Sequence, residues 1–258
     1  MIANYHTHTI RCKHAIGTDR EFVKKAISQG FTELGFSDHL PQLYPDGFTH
    51  HYQMDFEKIP NYFQSILSLK EEYADKIKIF IGFEAEYFPG ITEKTVEYLK
   101  QFPLDYLILG QHLIDNFDGD FSSQETDDAD YLKRYVNSTI KGINTGLFSL
   151  IAHPDLINYT PEDEIFYKEM ERLCVAAKIA NIPLECNMLG AGNGSYYRRN
   201  YPSERFFKIA AEVGNEVIIS CDAHDPDSLD NPRAYNFCLN MLRDCGITPI
   251  KKLKLIKP

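Results

Sequence analysis

Lys78-Ile79-Phe80-Ile81-Gly82-Phe83-Glu84-Ala85-Glu86-Tyr87 decides how the fold is read. Its first part is an apolar run with little polar alternation, as expected of a strand buried on both faces, and such strands belong to parallel sheets. Its last part sets two carboxylates, Glu84 and Glu86, two residues apart, so that they share a face where the run stops. An apolar strand that ends in acid groups is the pattern to look for elsewhere.

Six further segments share its apolar interior and read as strands: residues 2–8, 33–39, 105–112, 149–153, 182–187 and 216–221. Between them lie stretches of helical periodicity. Thr18-Asp19-Arg20-Glu21 opens the first, with Gly30 as its stop; the others span 55–73, 92–101, 127–144, 161–180, 202–213 and 231–245. Pro161 and Pro202 are read as first helical residues, where a missing N–H costs nothing. Strand then helix, repeated through one domain over residues 1–258, predicts a parallel sheet with right-handed crossovers. That sheet either stays open or closes.

The histidines favour closure. Seven of nine stand where an apolar run stops: Asn4-Tyr5-His6-Thr7-His8, His14, Ser37-Asp38-His39, Gln111-His112, Ala152-His153 and Asp222-Ala223-His224. His6 and His8 project together if that segment is a strand, as do Asp222 and His224. Only a barrel gathers so many strand ends around one mouth. The predicted fold is therefore an α/β, distorted (β/α)7 TIM-like barrel with its site at the C-terminal ends of the strands. Mixed imidazole and carboxylate donors suit zinc, iron or manganese better than calcium. His50 and His51, in a polar loop, are expected to be exposed.

Composition narrows the function classes. The chain has 258 residues, 43% hydrophobic and 25% charged, ordinary values for a globular protein. Net charge is −10 with no Lys/Arg block, which argues against nucleic-acid and membrane partners. An anionic substrate stays compatible, because bound divalent cations reverse the local sign. Six cysteines without a Cys-x-x-Cys pair point to a reducing compartment. With no basic, apolar leader and no run near the ~18 apolar residues of a membrane span, a cytoplasmic location is expected. No oligomeric state is read from these features.

Taken in order, His6-Thr7-His8, His14-Ala15, Phe36-Ser37-Asp38-His39, Gly82-Phe83-Glu84, Gly110-Gln111-His112, Ala152-His153-Pro154 and Cys221-Asp222-Ala223-His224 resemble the polymerase and histidinol phosphatase (PHP) family of metal-dependent phosphoesterases. The likeness covers nearly the whole chain. It implies three divalent transition-metal ions (zinc, iron or manganese) at the barrel mouth. His6, His8, Glu84 and Asp222 would hold the first, His112 and His153 the second with Glu84 bridging, and His14, His39 and His224 the third. Glu84 and Asp222 are the implied catalytic carboxylates.

Within the family the chain is similar to the stand-alone bacterial enzymes that hydrolyse L-histidinol phosphate to L-histidinol and phosphate in histidine biosynthesis. That likeness rests on Cys12-x-His14-Ala15, Phe36-Ser37-Asp38-His39-Leu40-Pro41, Tyr52-Gln53-Met54, Leu184-Glu185-Cys186-Asn187 and Tyr201-Pro202-Ser203. It departs from the pattern in the Gly- and Asn-rich stretch 188–200 and in Cys221. The implied chemistry is in-line attack by metal-activated hydroxide on a phosphorylated small molecule. The competing readings are another phosphomonoester and a non-catalytic metal-binding protein, against which the full ligand set argues.

Other residues are read around this set. Asp38 and Asp225 could protonate the leaving group or orient histidines, and Glu86 could ligate beside Glu84. Arg198 and Arg199 after the sixth strand and Arg11, with Lys13, after the first are candidates for binding phosphate, with Arg233 a further one.

Overall fold

The computed structural model describes residues 1–192 and 201–258. Seven strands lie side by side in chain order, each parallel to the next: β1 (Ala3–Asn4), β2 (Glu33–His39), β3 (Lys78–Ala85), β4 (Tyr106–Leu109), β5 (Leu150–Ile151), β6 (Leu184–Asn187) and β7 (Val217–Ser220). The ring closes just beyond the strands, where Thr7 pairs in parallel with Ala223. His8 N donates to Ala223 O at 2.9 Å, and Ala223 N donates to His6 O at 3.1 Å. The architecture is a distorted (β/α)7 barrel.

The helices among the described residues are α1 (Asp19–Ser28), α2 (Ile59–Glu72), α3 (Thr92–Leu99), α4 (Ala129–Ile143), α5 (Glu164–Ala180), α6 (Met188–Gly192), α7 (Glu204–Val213) and α8 (Pro232–Asp244). The five-residue α6 has no counterpart in the sequence reading. Thr18 and Glu21 form a reciprocal capping box that starts α1. Pro161 and Pro202 prove to lie before the caps rather than inside the first turns. Asp163 caps α5 by accepting from Phe166 N, and Ser203 precedes α7 while its amide is held by Asp155. At α5 a side-chain acceptor for the free helix amides outweighs the preset proline angle. No described helix is long and apolar enough to cross a membrane.

Strand alternation separates two cores. On β3, Ile79, Ile81, Phe83 and Ala85 face outward into the main apolar core shared with the helices. Phe80, Gly82 and Glu84 are in the opposite phase and face the barrel axis. There Ala3, Tyr5, Tyr106, Ile108, Leu150, Ala152 and Ile218 form an inner cluster, with Ile250, Leu253 and Leu255 of the C-terminal segment packed against it. Lys252 Nζ meets Glu33 Oε1 at 2.7 Å and Ile256 N donates to Ser149 Oγ at 2.8 Å, so this segment seals the N-terminal end of the barrel. The opposite end is left for polar groups.

Every strand but β2 is shorter than expected, β1, β4 and β5 most of all. β1 stops at Asn4 because the Asn4 amide donates to His6 O and Thr7 Oγ1, both at 2.8 Å, while its Oδ1 accepts from Cys221 N at 2.8 Å. A side chain that bonds nearby backbone competes with the ladder. β5 keeps only Leu150 and Ile151 because the chain turns at His153, which has φ 28°.

Tyr106 crosses the barrel to donate to Tyr5 O at 2.7 Å. Gly82 makes room for it, since a Cβ there would lie 2.5 Å from its ring. Gly82→Ala is therefore expected to destabilise the fold by about 1–3 kcal/mol, measured as a lower denaturation midpoint. Combined with Tyr106→Leu, the two losses should not add; additive losses would refute the contact as the cause.

Candidate metal centre

Every strand end but that of β6 delivers donors to the mouth. The chain after β1 supplies His6 and His8, and a 3-10 turn (Ile10–Cys12), capped by Thr9, leads to His14. His39 ends β2 and sits in register with Glu84 of β3. His112 follows β4 and His153 follows β5. Asp222 and His224 follow β7, Asp222 with φ 49°. The left-handed backbone at His153 and Asp222 costs roughly 1–3 kcal/mol each, a strain commonly stored at functional sites.

All nine sequence-predicted donors converge. Glu84 Oε1 lies 2.8 Å from His153 Nε2 and 3.5 Å from His112 Nε2. Its Oε2 lies 3.0 Å from His39 Nδ1, 3.4 Å from His6 Nε2 and 3.5 Å from His8 Nε2. Asp222 Oδ1 lies 3.1 Å from His8 Nε2 and 3.4 Å from both His6 Nε2 and His224 Nδ1. His14 Nε2 stands 3.0 Å from His224 Nε2. Gly110 is required beside Glu84, because a Cβ there would meet Oε1 at 2.1 Å.

Donor chemistry and unmet bonds both fit divalent transition metals. Glu84 Oε2, Asp222 Oδ1, His8 Nδ1, His39 Nδ1 and His153 Nδ1 are buried without hydrogen-bond partners. Native interiors rarely leave such atoms unpaired. Three sets, His6/His8/Asp222, His6/Glu84/His153 and His8/His39/His224, each bring three donor atoms within 4.8 Å of one another. Two of the sets run through His6 and two through His8, so the donors form one continuous cluster rather than separated clips.

Outer carboxylates set the rings. His6 Nδ1 contacts Glu185 Oε1 at 2.8 Å, and Glu185 Oε2 accepts from His153 N and Asn187 Nδ2, both at 2.9 Å. Asn187 Nδ2 also reaches Asp222 Oδ2 at 3.0 Å. Glu86 Oε1 lies 3.1 Å from His112 Nδ1 and accepts from Tyr52 Oη at 3.0 Å, so Glu86 orients His112. Such partners fix tautomer and ring angle. Asp38 is fully buried, accepts from Thr9 Oγ1 and from His39 N, and faces His8 Nδ1 at 3.5 Å. Asp225 caps the 3-10 turn Pro226–Leu229.

The electrostatics are those of a site built around a cation. Burial opposes ionisation of Glu84 and Asp222, yet the surrounding imidazoles hold both well below the usual carboxylate range. Burial likewise opposes protonation of His6 and His8. Asp222, Glu185 and Glu84 nevertheless push His6 well up, and Asp222 and Asp38 raise His8 to about 9. Burial and the His8 charge lower His39 to about 4. Without a cation, the cluster holds protons that a metal must displace.

A cleft of about 490 Å³ opens over the cluster. Lys13, His51, Tyr52, Phe121, Ser123, Leu156, Leu189 and Tyr201 contribute to its walls. Arg11, expected at the phosphate, is turned away: its guanidinium makes two 3.0 Å bonds to Asp19 and one of 3.2 Å to Asn61, outside the cleft. A buried carboxylate on α1 holds it more strongly than an open mouth would. Arg198 and Arg199 lie outside the described residues. His50, expected to be exposed, is buried against Tyr44, Phe48 and Tyr52, whereas His51 is exposed at the cleft.

Glu185, Asn187 and Tyr52 take their roles only from the folded structure. Glu185 had a usable signal, since a charged residue inside a strand buried on both faces needs a partner. Tyr52 had none, because its position depends on how the loop 40–56 packs.

A barrel of this kind with imidazole and carboxylate donors at its mouth defines a metal-dependent enzyme scaffold. The PHP domain model matches residues 4–188, and the chain belongs to that family. It is 30% identical to a protein of Deinococcus radiodurans named probable histidinol-phosphatase, over 87% of each chain. It is 25% identical to a Thermoanaerobacter protein named probable phosphatase, over 96% of this chain and 88% of the relative. The structure of a Lactococcus lactis histidinol phosphate phosphatase, complexed with zinc, L-histidinol and phosphate, shares the fold. It superposes with a TM-score of 0.69 at 20% identity, over 96% of this chain and 95% of that one.

Two outcomes are expected. Glu185→Ala should weaken zinc binding about 10–100-fold by freeing His6 and the His153 amide, as measured by chelator competition. Zinc affinity should also climb as pH rises towards about 9, where the His8 proton is lost without metal; a flat profile would contradict the proton displacement.

Proposed function

We propose that this protein hydrolyses L-histidinol phosphate to L-histidinol and inorganic phosphate. The observation that carries the reading is Glu84, whose two oxygens face two different sets of imidazoles at the floor of one cleft. A carboxylate so placed is suited to bridge two cations. The full proposal is a three-metal centre held by His6, His8, His14, His39, Glu84, His112, His153, Asp222 and His224, with zinc, iron or manganese as occupants.

Bound divalent cations would supply charge for the phosphate oxygens and lower the pKa of a water towards about 7. The protein's part is to hold the nine donors in one geometry before substrate arrives. Glu185 and Glu86 do this for His6, His153 and His112 through the bonds described above. Glu84 and Asp222 stay ionised across the working range, so they bring negative charge to the site without needing to lose a proton. Asp38 and Asp225, engaged with buried backbone and a turn, serve orientation rather than the leaving group.

The cleft size suits a small ligand. Phe121, Leu156, Leu189 and Tyr201 offer an apolar side to the alcohol portion, while the donor cluster takes the phosphate. The Deinococcus relative's name favours histidinol phosphate. The second reading, another phosphomonoester on the same chemistry, is favoured by the relative named only as a phosphatase.

Metal-loaded protein should release phosphate from histidinol phosphate faster than from a panel of phosphomonoesters, and chelator should stop it. Faster turnover of another ester would select the second reading, and no turnover of any ester would overturn both. Glu84→Ala should lose bound metal and at least about a hundredfold in rate, read by metal analysis beside the phosphate assay.

A further inference from the structure

Cys12 lies directly beside the donor cluster but belongs to none of the roles given above. It is wholly buried at the end of the 3-10 turn, with Sγ 3.9 Å from His14 Nε2. Its sulfur and the donor nitrogens of His14 and His224 all lie within 4.8 Å of one another. A tetrahedral zinc with Zn–S of about 2.3 Å and Zn–N of about 2.0–2.1 Å sets its S···N edges near ~3.6 Å and its N···N edge near ~3.3 Å. The observed 3.9 and 3.0 Å fall either side of those edges.

The two imidazoles point the same way. His14 Nδ1 donates to Cys12 O at 2.8 Å, and His224 Nδ1 meets Asp222 O at 3.1 Å. Carbonyl acceptors place the ring protons on Nδ1, which leaves the two Nε2 lone pairs facing each other at 3.0 Å. Facing lone pairs repel unless a cation lies between them. Beside them stacks the buried His39 ring, 5.3 Å from that of His14, its Nδ1 turned to Glu84 Oε2 at 3.0 Å. Two convergent lone pairs beside a buried sulfur point to a ligand.

We propose that the Cys12 thiolate is a further metal ligand, joining His14 and His224 in a nitrogen–sulfur position that takes zinc in preference to manganese or magnesium. Thiolate is a soft donor, and manganese and magnesium favour oxygen. The proposal rests on the metal-centre reading given above and adds to it a donor from outside the His/Glu/Asp set. Binding releases the thiol proton to solvent, so charge balances as S–H gives way to S–metal. The competing role for Cys12 is a thiol bonded to Asp38, which lies with it and His8 in a neighbouring group.

Cobalt(II)-loaded protein gives a readout independent of ester hydrolysis. A sulfur-to-cobalt charge-transfer band in the near ultraviolet is expected in the wild type and in Cys245→Ser, a cysteine outside the cluster, and should vanish in Cys12→Ser. Zinc should bind Cys12→Ser at least about tenfold more weakly, the loss that removing even an orienting partner causes, with manganese binding changed less. Fully cobalt-loaded wild type without the band would overturn the proposal and needs no variant to fold. A band that survives in folded Cys12→Ser would also overturn it. Failure of histidinol phosphate turnover with the band present would leave this inference standing and reject only the substrate.

Discussion

The parallel pairing of Thr7 with Ala223 is the constraint on which the rest depends. Its two backbone bonds contribute roughly 0.5–1.5 kcal/mol each, a small part of any fold's stability. Their importance is topological. Without them, His6 and His8 would stand at one edge of an open sheet and Asp222 and His224 at the other. Asn4 reinforces the join by holding Cys221 N while also bonding the backbone after its own strand.

Closure forces a division of labour along the barrel axis. The N-terminal half is filled by Tyr5, Tyr106 and aliphatic side chains and sealed by the C-terminal segment. That apolar filling leaves Glu84 no water from below, so its charge must be met from above by imidazoles or cations. The same burial makes the outer carboxylates effective: Glu185, fully buried, acts where field screening is weak. Stability and metal capture are therefore competing demands on one small volume, and the left-handed backbone at His153 and Asp222 marks where they meet.

Much of this was legible in the sequence because it followed from period and position. Strands buried on both faces read as apolar runs, and β2 and β3 were found nearly to their ends. The nine donors were legible because each stood at the end of such a run. What escaped depended on contacts between distant segments. The early stop of β1 follows from the Asn4 amide, which a propensity argument treats only as a turn former. Arg11 looked free until Asp19 and Asn61 came beside it. His50 looked exposed because its loop is polar, yet Tyr44 and Phe48 cover it.

Glu185 ties together parts of the molecule that the chain keeps far apart. One of its oxygens sets the ring of His6 and the other holds the backbone of His153. A substitution that shifts either histidine is thus felt by the other through a single rigid carboxylate. For evolution, this makes the β1 and β5 ends of the site one unit of inheritance: neither can drift alone, and changes there must arrive together or with a compensating change at residue 185. Tolerance to mutation should then be greatest on the side of the mouth that Glu185 does not reach, where His14 and His224 rest on their own local carbonyls.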